Sequence, residues 1–151
     1  MMKMKMKANV NVKAKAKAMR KAHQEAKAAR KQAHAPYSEF RVGAALMTAK
    51  GKVYRGCNVE NASYGGTICA ERVAILKAVS EGESDFRGII VVTDAGRPAF
   101  PCALCLQTMA EFFRPETRIA IADLKGVVSE HRFDELLPKP FGPRQLKKAR
   151  G

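Results

Sequence analysis

Apolar and polar positions along this chain follow two rhythms, one with a helical period and one of short continuous runs. Between residues 13 and 34, Met19, Ala22, Ala26, Ala29 and Ala33 recur at steps of three and four. This narrow stripe of small residues predicts a helix able to pack closely on a sheet, ended by Pro36. Residues 36–40 read as a turn and 41–47 as a strand weakened by Gly and Ala, with Lys50-Gly51 turning the chain into a return strand over 52–57. The polar, glycine-bearing stretch 58–67 is expected to be a loop. A second helix is predicted over 69–80, with Val73, Leu76 and Lys77 spaced as one face and Gly82 stopping it. Residues 88–93 form a wholly apolar run of the kind found in a strand covered on both sides. After a loop over 94–100, Pro101 and Cys102 open a third helix carrying Leu106, Met109, Ala110 and Phe113 before Pro115. Strands follow at 118–122 and 127–130, separated by Lys125-Gly126, and 133–137 reads as a short helical turn. Strands and helices alternate without an internal repeat, which predicts an α/β domain with helices on both faces of one sheet.

Size and charge refine this picture. The 151 residues suffice for one domain with a real core and are too few for two ordinary ones. Residues 1–12, where Met alternates with Lys, bury no face and are expected to be a disordered basic extension. Residues 13–146 are read as the single domain, and 147–151 as a basic tail. No apolar run approaches the roughly 20 residues of a membrane-spanning helix. The basic start lacks the apolar block of a secretory signal, so a cytoplasmic location is expected. The net charge of +14 invites a nucleic-acid reading, but residues 1–34 hold eleven Lys/Arg against Glu25 alone, and 139–151 hold five with no acid. The body between them is nearly neutral. Nucleic-acid binding by the basic ends therefore ranks behind the chemistry of the body.

That chemistry centres on Cys69-Ala70-Glu71-Arg72, with Pro101-Cys102-Ala103-Leu104-Cys105 about thirty residues downstream. A structural zinc site closes its tetrahedron with four protein ligands, whereas a catalytic one uses three and leaves a position for water. Cys69, Cys102 and Cys105 fit the second pattern, with Glu71 two residues from the first ligand. A Cys- or His-headed version of this signature marks zinc nucleobase deaminases, in which the Glu is general acid/base and not a ligand. If both motifs sit where helices begin, unpaired N–H groups and the helix dipole favour thiolates there. Three thiolates leave the cluster anionic, so a positive group must draw charge off the sulfurs, and Arg72 is the candidate. Burial beside that cluster should raise the pKa of Glu71 toward neutrality, which suits proton transfer. The plainer alternative is a four-cysteine structural site completed by Cys57. His23, His34 and His131 lie outside both motifs and read as surface or core residues.

The residues 35–46 (Ala-Pro-Tyr-Ser-x-Phe-x-Val-Gly-Ala-Ala-Leu), 56–65 (Gly-Cys-Asn-Val-Glu-Asn-Ala-Ser-Tyr-Gly) and 69–72 together resemble cytidine deaminase, the free-nucleoside enzyme of pyrimidine salvage. Pro101-Cys102-x-x-Cys105-x-Gln107, Glu111-Phe112 and Leu136-Leu137-Pro138-x-x-Phe141-Gly142 fit as well, in order, over residues 16–146. The resemblance implies a three-layer α/β/α domain around a five-stranded mixed sheet, usually a homotetramer whose active sites borrow residues from neighbouring subunits. It implies one zinc ion on Cys69, Cys102 and Cys105. A zinc-activated water would attack C4 of cytidine or deoxycytidine, and Glu71 would shuttle protons as ammonia leaves. It further implies that Asn58 and Glu60 hold ribose hydroxyls, that Phe40 and Phe141 flank the base, that Ala70 touches the substrate and that Tyr64 approaches the sugar from a second subunit. Such a site suits a neutral nucleoside and needs no phosphate cradle.

Two departures stand out. Where the family usually has Gly after the second ligand and Arg after the third, this chain has Ala103 and Leu106. Neither supplies a ligand, so the chemistry should survive, with Arg72 carrying more of the charge compensation and Leu106 free to pack against Phe113 or a neighbour. Three rivals remain: a polynucleotide deaminase using the basic ends, a non-catalytic four-cysteine zinc module binding nucleic acid, and a deaminase of a cytosine-based antibiotic. The Asn58/Glu60 pair speaks against the first and third.

Overall fold

In the computed structural model the backbone is described for residues 2–94, 96 and 99–146, and side chains from residue 13 onward, Arg144 apart. The tail 147–151 expected from the sequence lies outside the described residues. Helix α1 (Met2–Arg30) is followed by β1 (Gly43–Thr48), β2 (Val53–Cys57), a 3-10 turn (Tyr64–Gly66), α2 (Ala70–Ser80), β3 (Phe86–Val92), α3 (Ala103–Phe112), β4 (Arg118–Ala122), β5 (Val127–Arg132), α4 (Phe133–Leu136) and α5 (Pro143–Leu146). The five strands form one sheet in the order β2-β1-β3-β4-β5. Only β3 and β4 are parallel; β1 runs antiparallel to β2 and β3, and β5 antiparallel to β4. This is the mixed five-stranded sheet that the resemblance implied.

Both faces of the sheet are covered, as the unbroken apolar run of β3 required. On one face Ala44, Leu46, Ile89, Ile119 and Ile121 pack with Ala74, Ile75 and Ala78 of α2 and Met109 of α3. On the other, Ala45, Met47, Ile90, Val92, Ala120 and Ala122 meet Ala22 and Ala26 of α1. Alternate residues of β1, β3 and β4 thus feed two cores, giving three layers. The alanine stripe of α1 is buried as predicted. Small residues let the layers close: a Cβ on Gly43 would stand 2.6 Å from the backbone nitrogen of Arg30, and one on Gly56 would stand 2.5 Å from that of Ala74. The second approach presses the start of α2 onto β2.

Three expectations need correction. The stretch expected to be disordered, 2–12, is the beginning of α1; Met, Lys and Ala are strong helix formers, and no Gly or Pro interrupts them. At its other end α1 stops at Arg30 rather than running to 34, because the His34 backbone pairs with the 58–60 segment, its N–H donating to Asn58 O (3.0 Å) and its carbonyl accepting from Glu60 N (2.8 Å). The buried face of α2 is Ala70, Glu71, Ala74, Ile75 and Ala78, not Val73, Leu76 and Lys77. Leu76 is 49% exposed. Close packing against Gly56 selects the alanine side of the helix, and hydrophobic size alone pointed to the wrong one.

Candidate active site

The two cysteine motifs meet where α2 and α3 begin. Cys69 is the N-cap of α2 and Cys102 the N-cap of α3, with Cys105 one turn into α3. Neither N-cap side chain makes a capping hydrogen bond to the backbone of its own helix, which leaves both sulfurs for another partner. Cys69 Sγ lies 3.8 Å from Cys102 Sγ, and Cys102 Sγ lies 3.6 Å from Cys105 Sγ. All three sulfurs fall within 4.8 Å of one another. Tetrahedral zinc with bonds of about 2.3 Å separates its sulfurs by about 3.8 Å, so the donor set fits that ion in type and spacing. Cys57, at the end of β2, is a free thiol and does not belong to the cluster; its pKa is raised by burial. The four-cysteine alternative therefore lacks its fourth sulfur.

Electrostatics support the same assignment. The Cys69 thiol is held well below its ordinary pKa by hydrogen bonds from Cys105 and Cys102 and by the Arg72 charge, and Cys105, as the donor and a buried group, is pushed up. A dication can take the place of that shared proton. Arg72 Nη2 donates to Thr67 O (2.8 Å), while its buried Nε has no oxygen or nitrogen partner. An unpaired guanidinium N–H beside an anionic sulfur cluster supplies the positive group the sequence called for. Leu106 is half-buried and packs against the core on the α2/α3 side of the sheet. Glu71 is 4% exposed. Burial pushes its carboxyl up to about 7, with the Cys69 charge acting in the same direction.

The remaining candidates fall into two groups, one joined to the start of α2 and one at a cleft that the cysteines and Glu71 do not line. Ala70 is fully buried in the first turn of α2. Glu60 and Tyr64 line a cleft of about 210 Å³ together with Tyr37, Ser38 and Thr67, and Thr67 is the residue whose carbonyl Arg72 grips. Asn58 and Glu60 also have work that the sequence did not reveal. Asn58 Oδ1 accepts from Val42 N and its Nδ2 donates to Phe40 O, each at 2.8 Å. Glu60 accepts from Tyr37 N (2.9 Å), Ser38 N (3.2 Å) and the Ser38 hydroxyl, which in turn accepts from Phe40 N (3.0 Å). These two side chains thereby hold the segment that carries Phe40, in which Glu39 adopts a left-handed φ of 56°. Ser38 was not singled out from the sequence; a serine two residues before an aromatic in a turn was the available signal. Phe141 is 57% exposed, and its carbonyl accepts from Gln107 Nε2 at 2.8 Å, which ties it to α3. Tyr64 is 75% exposed, with its ring centroid 5.8 Å from that of Tyr37.

Comparison with known proteins agrees with this geometry. Residues 13–121 match the family described as the cytidine and deoxycytidylate deaminase zinc-binding region. Cytidine deaminase of Halalkalibacterium halodurans is 50% identical over 118 residues, covering 78% of this chain and 89% of that protein. That of Sporosarcina psychrophila is 45% identical over 122 residues, covering 81% and 90%. Among solved structures, cytidine deaminase from Burkholderia pseudomallei superimposes with a TM-score of 0.77 at 44% identity, covering 81% of this chain and 98% of that one. The Mycobacterium tuberculosis enzyme gives 0.72 at 36% identity, covering 82% and 96%. With three sulfurs spaced for one zinc ion, a buried carboxyl beside them and relatives that match over most of its length, the chain belongs to the zinc-dependent cytidine deaminase family of hydrolytic enzymes.

Proposed function

We propose that this enzyme hydrolyses cytidine and deoxycytidine to uridine and deoxyuridine with release of ammonia, in pyrimidine salvage. The observation that carries this reading is the buried Glu71 two residues from a three-sulfur cluster whose spacing suits one tetrahedral ion. Zinc on Cys69, Cys102 and Cys105 would supply the Lewis acidity that makes water nucleophilic near neutral pH. Glu71, with its pKa raised to about 7, accepts a proton from the attacking water and passes it to N3 as the C4–O bond forms and the C4=N3 double bond opens; it then takes the proton of the new C4 hydroxyl and gives it to the amine, so that the C4–N bond breaks, C4=O forms and ammonia leaves. Arg72 draws charge from the sulfurs. Phe40 and Phe141 supply flat faces for the base, and Ala70 backs it from the start of α2.

Hydrogen-bonding capacity supports a role for Asn58 and Glu60 at the sugar. Beyond the bonds to the 37–42 segment, Asn58 keeps one N–H and Glu60 one acceptor site. One hydroxyl can satisfy both, accepting from Asn58 and donating to Glu60. A nucleoside with a free sugar hydroxyl meets that need, and a chain linked through the oxygen does not, which favours a nucleoside over a polynucleotide. Residues 13–146 form the single catalytic domain, and the site is completed in a homotetramer: Tyr64, Leu104 and Phe141 are exposed around it and suit contact with a neighbouring subunit. The reaction is cytoplasmic. No helix among the described residues is long and apolar enough to cross a membrane.

Loss of cytosine absorbance on mixing the protein with cytidine tests the assignment, with a parallel arm offering a cytosine-bearing oligonucleotide. Glu71→Gln is expected to retain zinc and lose nearly all turnover. A Glu71→Gln protein with ordinary activity, or turnover of the oligonucleotide alone, would overturn it. Light scattering should give about four times the 16.6 kDa chain mass.

A further inference from the structure

The outer side of α1 takes no part in the site just described, whose cysteines lie across the sheet from it. Opposite the buried alanines, Lys13, Lys17, Arg20, Gln24, Lys27 and Lys31 follow one another at steps of three and four. At about 1.5 Å per residue the row from Lys13 to Lys27 is roughly 21 Å long, and Lys31 continues it just beyond the helix end. Lys13, Lys17, Arg20 and Lys31 are exposed. Among the described residues none of these four forms an ion pair with an acid. Lys27 donates to Leu124 O and so keeps its charge. Glu25, the helix's sole acid, stands off the row and faces Arg55 at 3.5 Å. The row is therefore an uncompensated line of like charge on a rigid rod, attached to a body that is otherwise nearly neutral.

The chemistry of the row narrows its partner. A membrane-surface helix needs large apolar side chains to insert, but the outward positions of the described part of α1 are Lys, Arg, Gln and Ala, and Met19 packs toward the sheet. Single-stranded nucleic acid is usually held by aromatic side chains on which bases stack, and α1 contains no Phe, Tyr or Trp. A rigid line of cations with neither feature matches a rigid line of phosphates. We propose that the outer row of α1 docks on the phosphate backbone of double-stranded nucleic acid without reading its bases.

The test is fluorescence anisotropy of a labelled 20-base-pair duplex titrated with the full-length enzyme across a salt series. Five neutralised phosphates give a log–log slope of about −4.5, so affinity falls about 500-fold between about 50 and 200 mM salt. The variant carrying Lys13→Gln, Lys17→Gln, Arg20→Gln and Lys31→Gln should keep its cytidine turnover while its slope falls to about −1. If those four changes together cost the fold, Lys17→Gln with Arg20→Gln should reduce the slope by about two. Absence of duplex binding at low salt, an unchanged slope in the variants, or preference for anionic vesicles or single strands over duplex would each overturn the proposal.

Discussion

Replacing Gly56 by alanine should damage catalysis from beneath the site without touching any reacting group. The added Cβ would lie 2.5 Å from the backbone nitrogen of Ala74 and 3.1 Å from its Cα. Carbon contacts are comfortable at about 3.5–4.0 Å, so α2 must retreat by about 1 Å. That retreat carries Cys69 and Glu71, at the start of α2, away from Cys102 and Cys105, which stand on α3 and do not feel the new atom. Overpacking of this kind costs about 1–3 kcal/mol, and a domain of this length loses about 2–4 °C per kcal/mol, so the melting temperature should fall by roughly 2–12 °C. Misplacement of a reacting group by about 1 Å costs about 100-fold in rate, so cytidine turnover should fall far more than stability. A thermal melt and a deamination assay on the same zinc-loaded preparation check both effects. Gly126→Ala, where an added Cβ meets nothing within 4 Å, is the control and should match wild type in both. A Gly56→Ala enzyme with wild-type melting and turnover would refute the claim that this close approach sets the geometry of the site.

Arg72→Ala should weaken zinc binding by about 10–100-fold in chelator competition, because a buried charge next to the sulfurs is lost; unchanged zinc affinity and turnover would count against its role. Cys57→Ala should retain one zinc per chain by metal analysis, and metal release would revive the four-cysteine reading. Glu83, buried beneath Lys52 at 2.9 Å and Lys50 at 3.8 Å, has its carboxyl held below the ordinary range by the Lys52 hydrogen bond. A depressed pKa gives stability that is complete above the unfolded-state value and lost as pH falls through the folded one. Glu83→Gln should therefore lower the melting temperature at neutral pH and converge on wild type in acid, and a constant gap across the pH series would refute the pairing.

How much was legible in the sequence depended on whether the determining contacts were local. The two-sided burial of β3, the helix starts at Cys69 and Cys102 and the alanine stripe of α1 are written in runs and spacings of a few residues, and they were readable. The buried side of α2 was not. It is decided by Gly56, a glycine on another element whose missing side chain is the relevant fact, and nothing in the spacing of Val73, Leu76 and Lys77 records it. The second function of Asn58 and Glu60 was hidden for a related reason. Their types suit a sugar, but their partners are backbone N–H and carbonyl groups of residues 37–42, between 16 and 23 positions away, and every residue but proline offers those groups alike. A side chain that binds backbone leaves no complementary residue type to find. The consequence for the proposed site is specific: because Asn58 and Glu60 fix the segment bearing Phe40, removing either one should disturb the proposed base contact of Phe40 as well as the proposed sugar contact. Their effects on substrate binding should then be less than additive with Phe40→Ala in a double-mutant cycle, and strict additivity would mean that the segment holds its shape without them.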